Sequence, residues 1–173
     1  MARKFLRWLI HAIIDLIADV EIKGLENFPS GSYIVATNHI GFIDILMFHY
    51  VFDRFDMFIP VAEKWEKQAW IRWVAKKLNF VFIDRFNPDL KALRKMINLM
   101  NEGNSLVIAP EGTRSPTASL IAGKPGVAFL AAKSGFPVIP VGMTGTEDKQ
   151  IFYNIKHFTP VSYTHLTLPT ILL

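Results

Sequence analysis

Short β-forming runs alternate with helical periodicities along most of this chain, and no other feature limits its fold as much. Residues 32–37 (SYIVAT) form a buried-strand pattern bounded by Pro29, Ser30 and Gly31. A turn containing Gly41 follows, then a mostly apolar helix over residues 44–51. Residues 58–61 read as a short strand, 64–78 as one or two helices, and 80–83 as a strand again. Asn87 and Pro88 supply an N-cap and a first-turn proline for a helix reaching about Glu102. The apolar face of that helix is Leu90, Leu93, Ile97 and Met100, and Gly103 suits its stop. Residues 105–109 (SLVIA) form a strand, and a loop over 110–124 leads into a helix over 126–134, stopped by Gly135. Residues 138–141 (VIPV) are the last clear strand. This order predicts an α/β layered domain: a central mixed sheet covered by helices, preceded by an N-terminal amphipathic helix. At 173 residues the chain has room for one domain with a sizeable core.

That first helix is a feature of its own. In MARKFLRWLIHAIIDLIADV the polar residues Arg3, Arg7, His11, Asp15 and Asp19 fall at every fourth position, one stripe along a helix spanning residues 1–20. Phe5, Trp8, Leu9, Ala12, Ile13 and Leu16 cover the rest. His11, Asp15 and Asp19 interrupt the apolar run, so it reads neither as a signal peptide nor as a membrane span. Two readings stay open: a helix lying among lipid headgroups, or one packed on its own domain. Composition leans towards lipid. Hydrophobic residues make up 51% and charged ones 20%, which excludes a disordered or nucleic-acid-binding tail. The net charge of +4 with 13% aromatic residues suits anionic lipid or phosphate better than nucleic acid. Cysteine is absent, which removes disulfides, thiolate–zinc sites and thiol nucleophiles.

The other end reads differently. Residues 161–170 (VSYTHLTLPT) carry no charge and match an in-frame translation of a transposase-based sequencing-library adapter. The expectation is therefore a main domain over residues 21–160, truncated near its end, with residues 161–173 contributed by the adapter. Reading the source gene directly tests this, since finding the same codons in the genome would end the idea.

Three clusters follow strands and carry chemistry-capable groups. The first is Asn38-His39-Ile40-Gly41-Phe42-Ile43-Asp44. On one continuous helix His39 and Asp44 would point about 140° apart, since each residue turns the helix by ~100°. Across a strand–turn–helix corner they can meet, and a carboxylate on one imidazole nitrogen leaves the other free to take a proton. No G-x-S-x-G accompanies them, so the substrate's own hydroxyl would be the nucleophile. The second is Pro110-Glu111-Gly112-Thr113-Arg114-Ser115, where Gly permits close backbone approach to an anion and Arg matches phosphate oxygens. A solvated loop with an Arg–Glu pair is the plainer alternative. The third is Phe82-Ile83-Asp84-Arg85, with Arg85 at a strand end. A metal site built from His39, Asp44 and Glu111 is conceivable, without ligand spacing to support it. Gly123-Lys124-Pro125 lacks the Ser/Thr of a phosphate-binding P-loop.

The order of these clusters, N-H-x(4)-D, F-I-D-R, P-E-G-T-R-S and V-I-P-V, resembles the glycerolipid acyltransferase family and its 1-acylglycerol-3-phosphate acyltransferase branch. The resemblance runs from about Ile22 to Val141. It implies His39 as the base that deprotonates the acceptor hydroxyl, with Asp44 orienting it. It further implies that Arg85, Glu111, Gly112, Thr113 and Arg114 hold the acceptor's phosphate, with residues 138–141 near the acyl chain. The acyl donor would be acyl-CoA or acyl carrier protein, the acceptor lysophosphatidate, and no cofactor or metal would be bound. The expected location is a membrane surface, the cytoplasmic face of a bacterial inner membrane. Gly41 and Asn79 depart from the family, which often carries Ser and Gly there. Alternatives are the same chemistry on glycerol 3-phosphate or another lyso-lipid, a thioesterase or lysophospholipase, and a non-catalytic lipid-binding module.

Overall fold

The computed structural model describes residues 1–52, 56–84, 90–149, 151 and 153, and the backbone of 161–167. The chain forms α1 (Ala2–Ile17), β1 (Ala18–Lys23), β2 (Ile34–Thr37), α2 (Asp44–Val51), β3 (Met57–Ala62), α3 (Ala69–Leu78) and β4 (Phe80–Ile83). It continues through α4 (Leu90–Asn101), β5 (Ser105–Ile108), α5 (Gly126–Ser134), β6 (Val138–Thr144) and β7 (Val161–Thr167). One seven-stranded sheet runs in the order β1-β7-β6-β2-β5-β3-β4. From β6 to β4 all neighbours are parallel, whereas β7 is antiparallel to β6 and parallel to β1. The sheet is therefore mixed, as the sequence predicted, with its antiparallel pairing contributed by β7, whose residues lie in the stretch that matches the adapter.

Period-two alternation splits the strand side chains between two helical layers. Tyr33, Val35, Ile59, Val61, Val107 and Ile139 pack with α1 and α2 on one face. Ile34, Phe58, Val81 and Leu106 pack with Met96 and Met100 of α4 and with Val127 and Leu130 of α5 on the other. Ile34, Val35, Leu106 and Ile139 are fully buried, and each such side chain contributes roughly 1.5–3 kcal/mol. Parallel strands covered on both faces account for the near-continuous apolar runs in the sequence.

Three details depart from expectation. Helix α1 ends at Ile17 rather than near residue 20, because Ala18, Val20 and Ile22 half-bury in alternation with exposed Asp19, Glu21 and Lys23. The helical polar stripe through Asp19 hid this strand. Leu90 is exposed rather than part of the buried face of α4, while Asn87 and Pro88 lie outside the described residues. Asn79 closes α3 with φ of +55°, a left-handed conformation that Asn tolerates and Gly would adopt freely.

Helix α1 packs on its own domain with one face and leaves a second apolar face exposed. Ile10 and Ile14 are buried, Leu6 and Ile17 pack beside them, and the Tyr50 hydroxyl donates to Asp15 Oδ1 at 2.7 Å. Phe5, Trp8, Leu9, Ile13 and Leu16 stay exposed on another face. Among the described residues no helix is long and apolar enough to cross a membrane.

Candidate active site

Because β2, β3, β4, β5 and β6 are parallel, the loops after them emerge at one edge of the sheet. Ligand sites of open α/β sheets form in that position. The segment after β2 lies between the loop after β5 and the loop after β6, since β2 pairs with both strands. Two stretches, 72 and 105 residues further along the sequence, therefore meet around the His39 corner.

His39 leaves the end of β2 and Asp44 opens α2, a corner rather than a continuous helix. Their side chains meet, with His39 Nδ1 2.7 Å from Asp44 Oδ2. The same oxygen accepts the Ile40 N–H at 2.9 Å and the Gly41 N–H at 3.0 Å. Three donors thus converge on one carboxylate oxygen of a buried Asp. With Oδ2 as the acceptor, Nδ1 carries the imidazole proton, which leaves Nε2 with its lone pair. The His39 side chain is 21% exposed and forms part of the wall of a cavity of about 300 Å³.

The loop after β5 holds the His39 main chain on both sides. Glu111 Oε2 accepts the His39 N–H at 3.3 Å, and the Ser115 N–H donates to the His39 carbonyl at 2.8 Å. Glu111 Oε1 accepts the Ile121 N–H at 3.4 Å. Glu111 is buried, and both of its oxygens face main-chain amides rather than the cavity. Gly112, Thr113 and Arg114 do line the cavity, and Gly112 adopts φ of +68°, which a side chain resists. Lys124 folds over Gly112, its Nζ 3.1 Å from the point where a Cβ would stand. Arg85 lies outside the described residues. His39, Asp44 and Glu111 do not converge as ligands, and no group of three metal-binding side chains forms among the described residues.

The cavity has both cationic and apolar lining. Arg114 and Lys64 supply the charge, while Phe48, Ile59, Val107 and Trp65 supply apolar wall. Residues 138–141 lie across β2 from this wall and do not line it. Sequence reading missed Lys64 and Trp65, which sit in the turn after β3 and carry no motif. It also assigned no role to Asn38, whose amide exchanges two hydrogen bonds with the Met143 main chain, at 2.7 and 2.8 Å, and so ties the corner to β6. His49, on α2, lies in the core instead. Burial lowers its pKa to about 4, and its Nε2 has no hydrogen-bond partner among the described residues.

A doubly covered mixed sheet with a His–Asp corner at its strand ends defines the class as an α/β protein with its candidate site at the strand ends. The acyltransferase family model matches residues 19–144, and the chain belongs to that family. It is 26% identical over 151 residues to the 1-acyl-sn-glycerol-3-phosphate acyltransferase of Bacillus subtilis (strain 168), covering 86% of this chain and 75% of that protein. It is 31% identical over 137 residues to the chloroplastic enzyme BAT2 of that name from Brassica napus, covering 73% of this chain and 37% of that one. The mouse 1-acyl-sn-glycerol-3-phosphate acyltransferase alpha is 30% identical over 161 residues, covering 86% of this chain. This chain thus spans 37%, 52% and 75% of the Brassica, mouse and Bacillus proteins. In fold it is similar to the crystal structure of the 1-acyl-sn-glycerophosphate (LPA) acyltransferase PlsC from Thermotoga maritima. That match has a TM-score of 0.75 and 26% identity, covering 98% of this chain and 70% of the other.

Proposed function

We propose that this protein transfers a fatty acyl group from a thioester donor, acyl-CoA or acyl carrier protein, to the free hydroxyl of 1-acylglycerol 3-phosphate, forming phosphatidic acid. The observation that carries this reading is the His39–Asp44 pair on the wall of a cavity lined by both cationic and apolar side chains. The names of the relatives support the same acceptor. In the reaction His39 Nε2 takes the acceptor's hydroxyl proton as the oxygen attacks the thioester carbonyl carbon. The new C–O bond replaces the C–S bond, and the imidazolium returns its proton to the departing thiolate. Asp44 stabilises the imidazolium while it exists. Arg114 binds the acceptor's phosphate, joined by Arg85, with Gly112 and Thr113 shaping the loop and Glu111 bracing His39 from behind. Positioning two substrates against one base is sufficient for this chemistry.

The exposed aromatic face of α1, next to the basic residues of its first turns, suits a helix lying in a headgroup layer. The protein then works at a membrane surface where both lipids reside, the cytoplasmic leaflet of a bacterial inner membrane.

Thiol release from palmitoyl-CoA in detergent micelles, with and without lysophosphatidate, tests the proposal on protein shown folded by circular dichroism. The expected result is release that requires lysophosphatidate and falls ~10²–10⁴-fold in His39→Ala. Release indifferent to the acceptor would indicate a thioesterase instead. Turnover unchanged by His39→Ala would remove His39 from the chemistry.

A further inference from the structure

The segment after β6 touches the His39 corner at two points and the loop after β5 at a third. The Thr146 carbonyl packs so closely on Gly41 that an added Cβ would overlap its oxygen. Asp148 Oδ1 accepts the Phe42 N–H at 2.6 Å, and Asp148 Oδ2 accepts Arg114 Nη1 at 2.6 Å. One carboxylate on this segment thus bridges the loop after β2 to the loop after β5. Asp148 lies beyond residue 144, where the family match ends.

We propose that Asp148 is a positioning residue: it pins Arg114 to the His39 corner and thereby sets how firmly the acceptor's phosphate is held and how squarely it presents its hydroxyl. This rests on the acyl-transfer reading above. The guanidinium carries five N–H donors, and the bond to Asp148 engages only part of them, so the others remain for phosphate oxygens in the cavity that Arg114 lines. With its side chain 47% exposed, an untethered Arg114 would spread over many rotamers, and binding would have to recover that order. Asp148 also places a negative charge near the phosphate. At 38% side-chain exposure that repulsion is screened by solvent, whereas the geometric restraint is not. Restraint therefore outweighs repulsion, and removing the carboxylate weakens acceptor binding.

The two hydrogen bonds separate cleanly by substitution. Asp148→Asn keeps an oxygen for the Phe42 N–H and loses the ion pair. Asp148→Ala loses both and frees the turn beside His39. Steady-state thiol release with varied lysophosphatidate, alongside calorimetric titration of lysophosphatidate without donor, reads the outcome. In Asp148→Asn the acceptor KM and dissociation constant are expected to rise about 3–10-fold, with a smaller change in kcat. Asp148→Ala is expected to show the same rise and a further roughly 10-fold loss in kcat, and Asp148→Glu to recover part of both. A purely structural Asp148 would lower the melting temperature and leave KM and kcat of the folded protein as in the wild type, which overturns the proposal. A lower KM in Asp148→Asn would make the carboxylate a repulsive group, and overturns it equally. Wild-type protein that neither binds nor turns over lysophosphatidate overturns the acyl-transfer reading itself, a result distinct from active wild type with unaffected variants.

Discussion

Replacing Asp44 by Asn separates orientation from charge at this corner. Asp44 Oδ2 receives all three donors, from His39 Nδ1, Ile40 N and Gly41 N, and Oδ1 receives none among the described residues. An Asn with its carbonyl oxygen in the Oδ2 position keeps every one of these bonds and the same imidazole tautomer. Its NH2 then takes the Oδ1 position, beside Gly41 and the Thr146 carbonyl, where a donor is tolerated. What disappears is the negative charge facing the imidazolium. Two unit charges ~4 Å apart at an effective dielectric of ~20 attract by about 4 kcal/mol, and a half-transferred proton by about 2. The expected fall in kcat is therefore about 30-fold to about 10³-fold. The loss in folding stability is only about 1 kcal/mol, the difference between a charged and a neutral acceptor. Asp44→Ala instead strands two buried main-chain N–H groups at about 1–3 kcal/mol each. Saturating kcat and urea unfolding of both variants provide the check. Unchanged kcat in folded Asp44→Asn would refute the electrostatic role, and equal stability of the Asn and Ala variants would refute the hydrogen-bond account.

Two further predictions concern groups around the site. His49 is held neutral by burial, with its pKa lowered from 6.5 to about 4. Below pH 6.5 the unfolded chain binds a proton that the folded one refuses, so stability is full above 6.5 and falls as pH drops towards 4. Between pH 6.5 and 5 the loss is about 2 kcal/mol, and His49→Leu should flatten that part of a urea-midpoint profile. Gly41→Ser is expected to destabilise by about 1–3 kcal/mol, because the Thr146 main chain must retreat. Thermal melts measure this, and a Gly41→Ser protein as stable as wild type would show that residues 145–148 yield easily.

The site was only partly legible before the structure. His39 and Asp44 stood out as residue types, yet their spacing alone placed them on diverging faces of a helix. Glu111 read as part of an anion loop, and nothing in its neighbours signalled a carboxylate turned inward to the His39 and Ile121 amides. Asp148 sits in a run of ordinary surface charges, Glu147-Asp148-Lys149. Its partners are 106 and 34 residues away, a separation no local pattern can register. Strand β1 was hidden for a different reason: at residues 18–20 a four-residue polar stripe and a two-residue alternation coincide, and the alternating half-burial of Ala18, Val20 and Ile22 shows which prevails.

Helix and strand identity followed from local physics: side-chain periodicity, Gly135 and Gly103 at helix ends, and apolar runs destined for burial on both faces. These effects act within a few residues, so the linear chain already contains them. Strand order is another matter. Placing β2 between β5 and β6 requires closing loops of about 70 and 100 residues, decided by how two apolar helical layers cover one sheet. That order brings the loops carrying Glu111, Arg114 and Asp148 onto the His39 corner, and it turns scattered residues into a site.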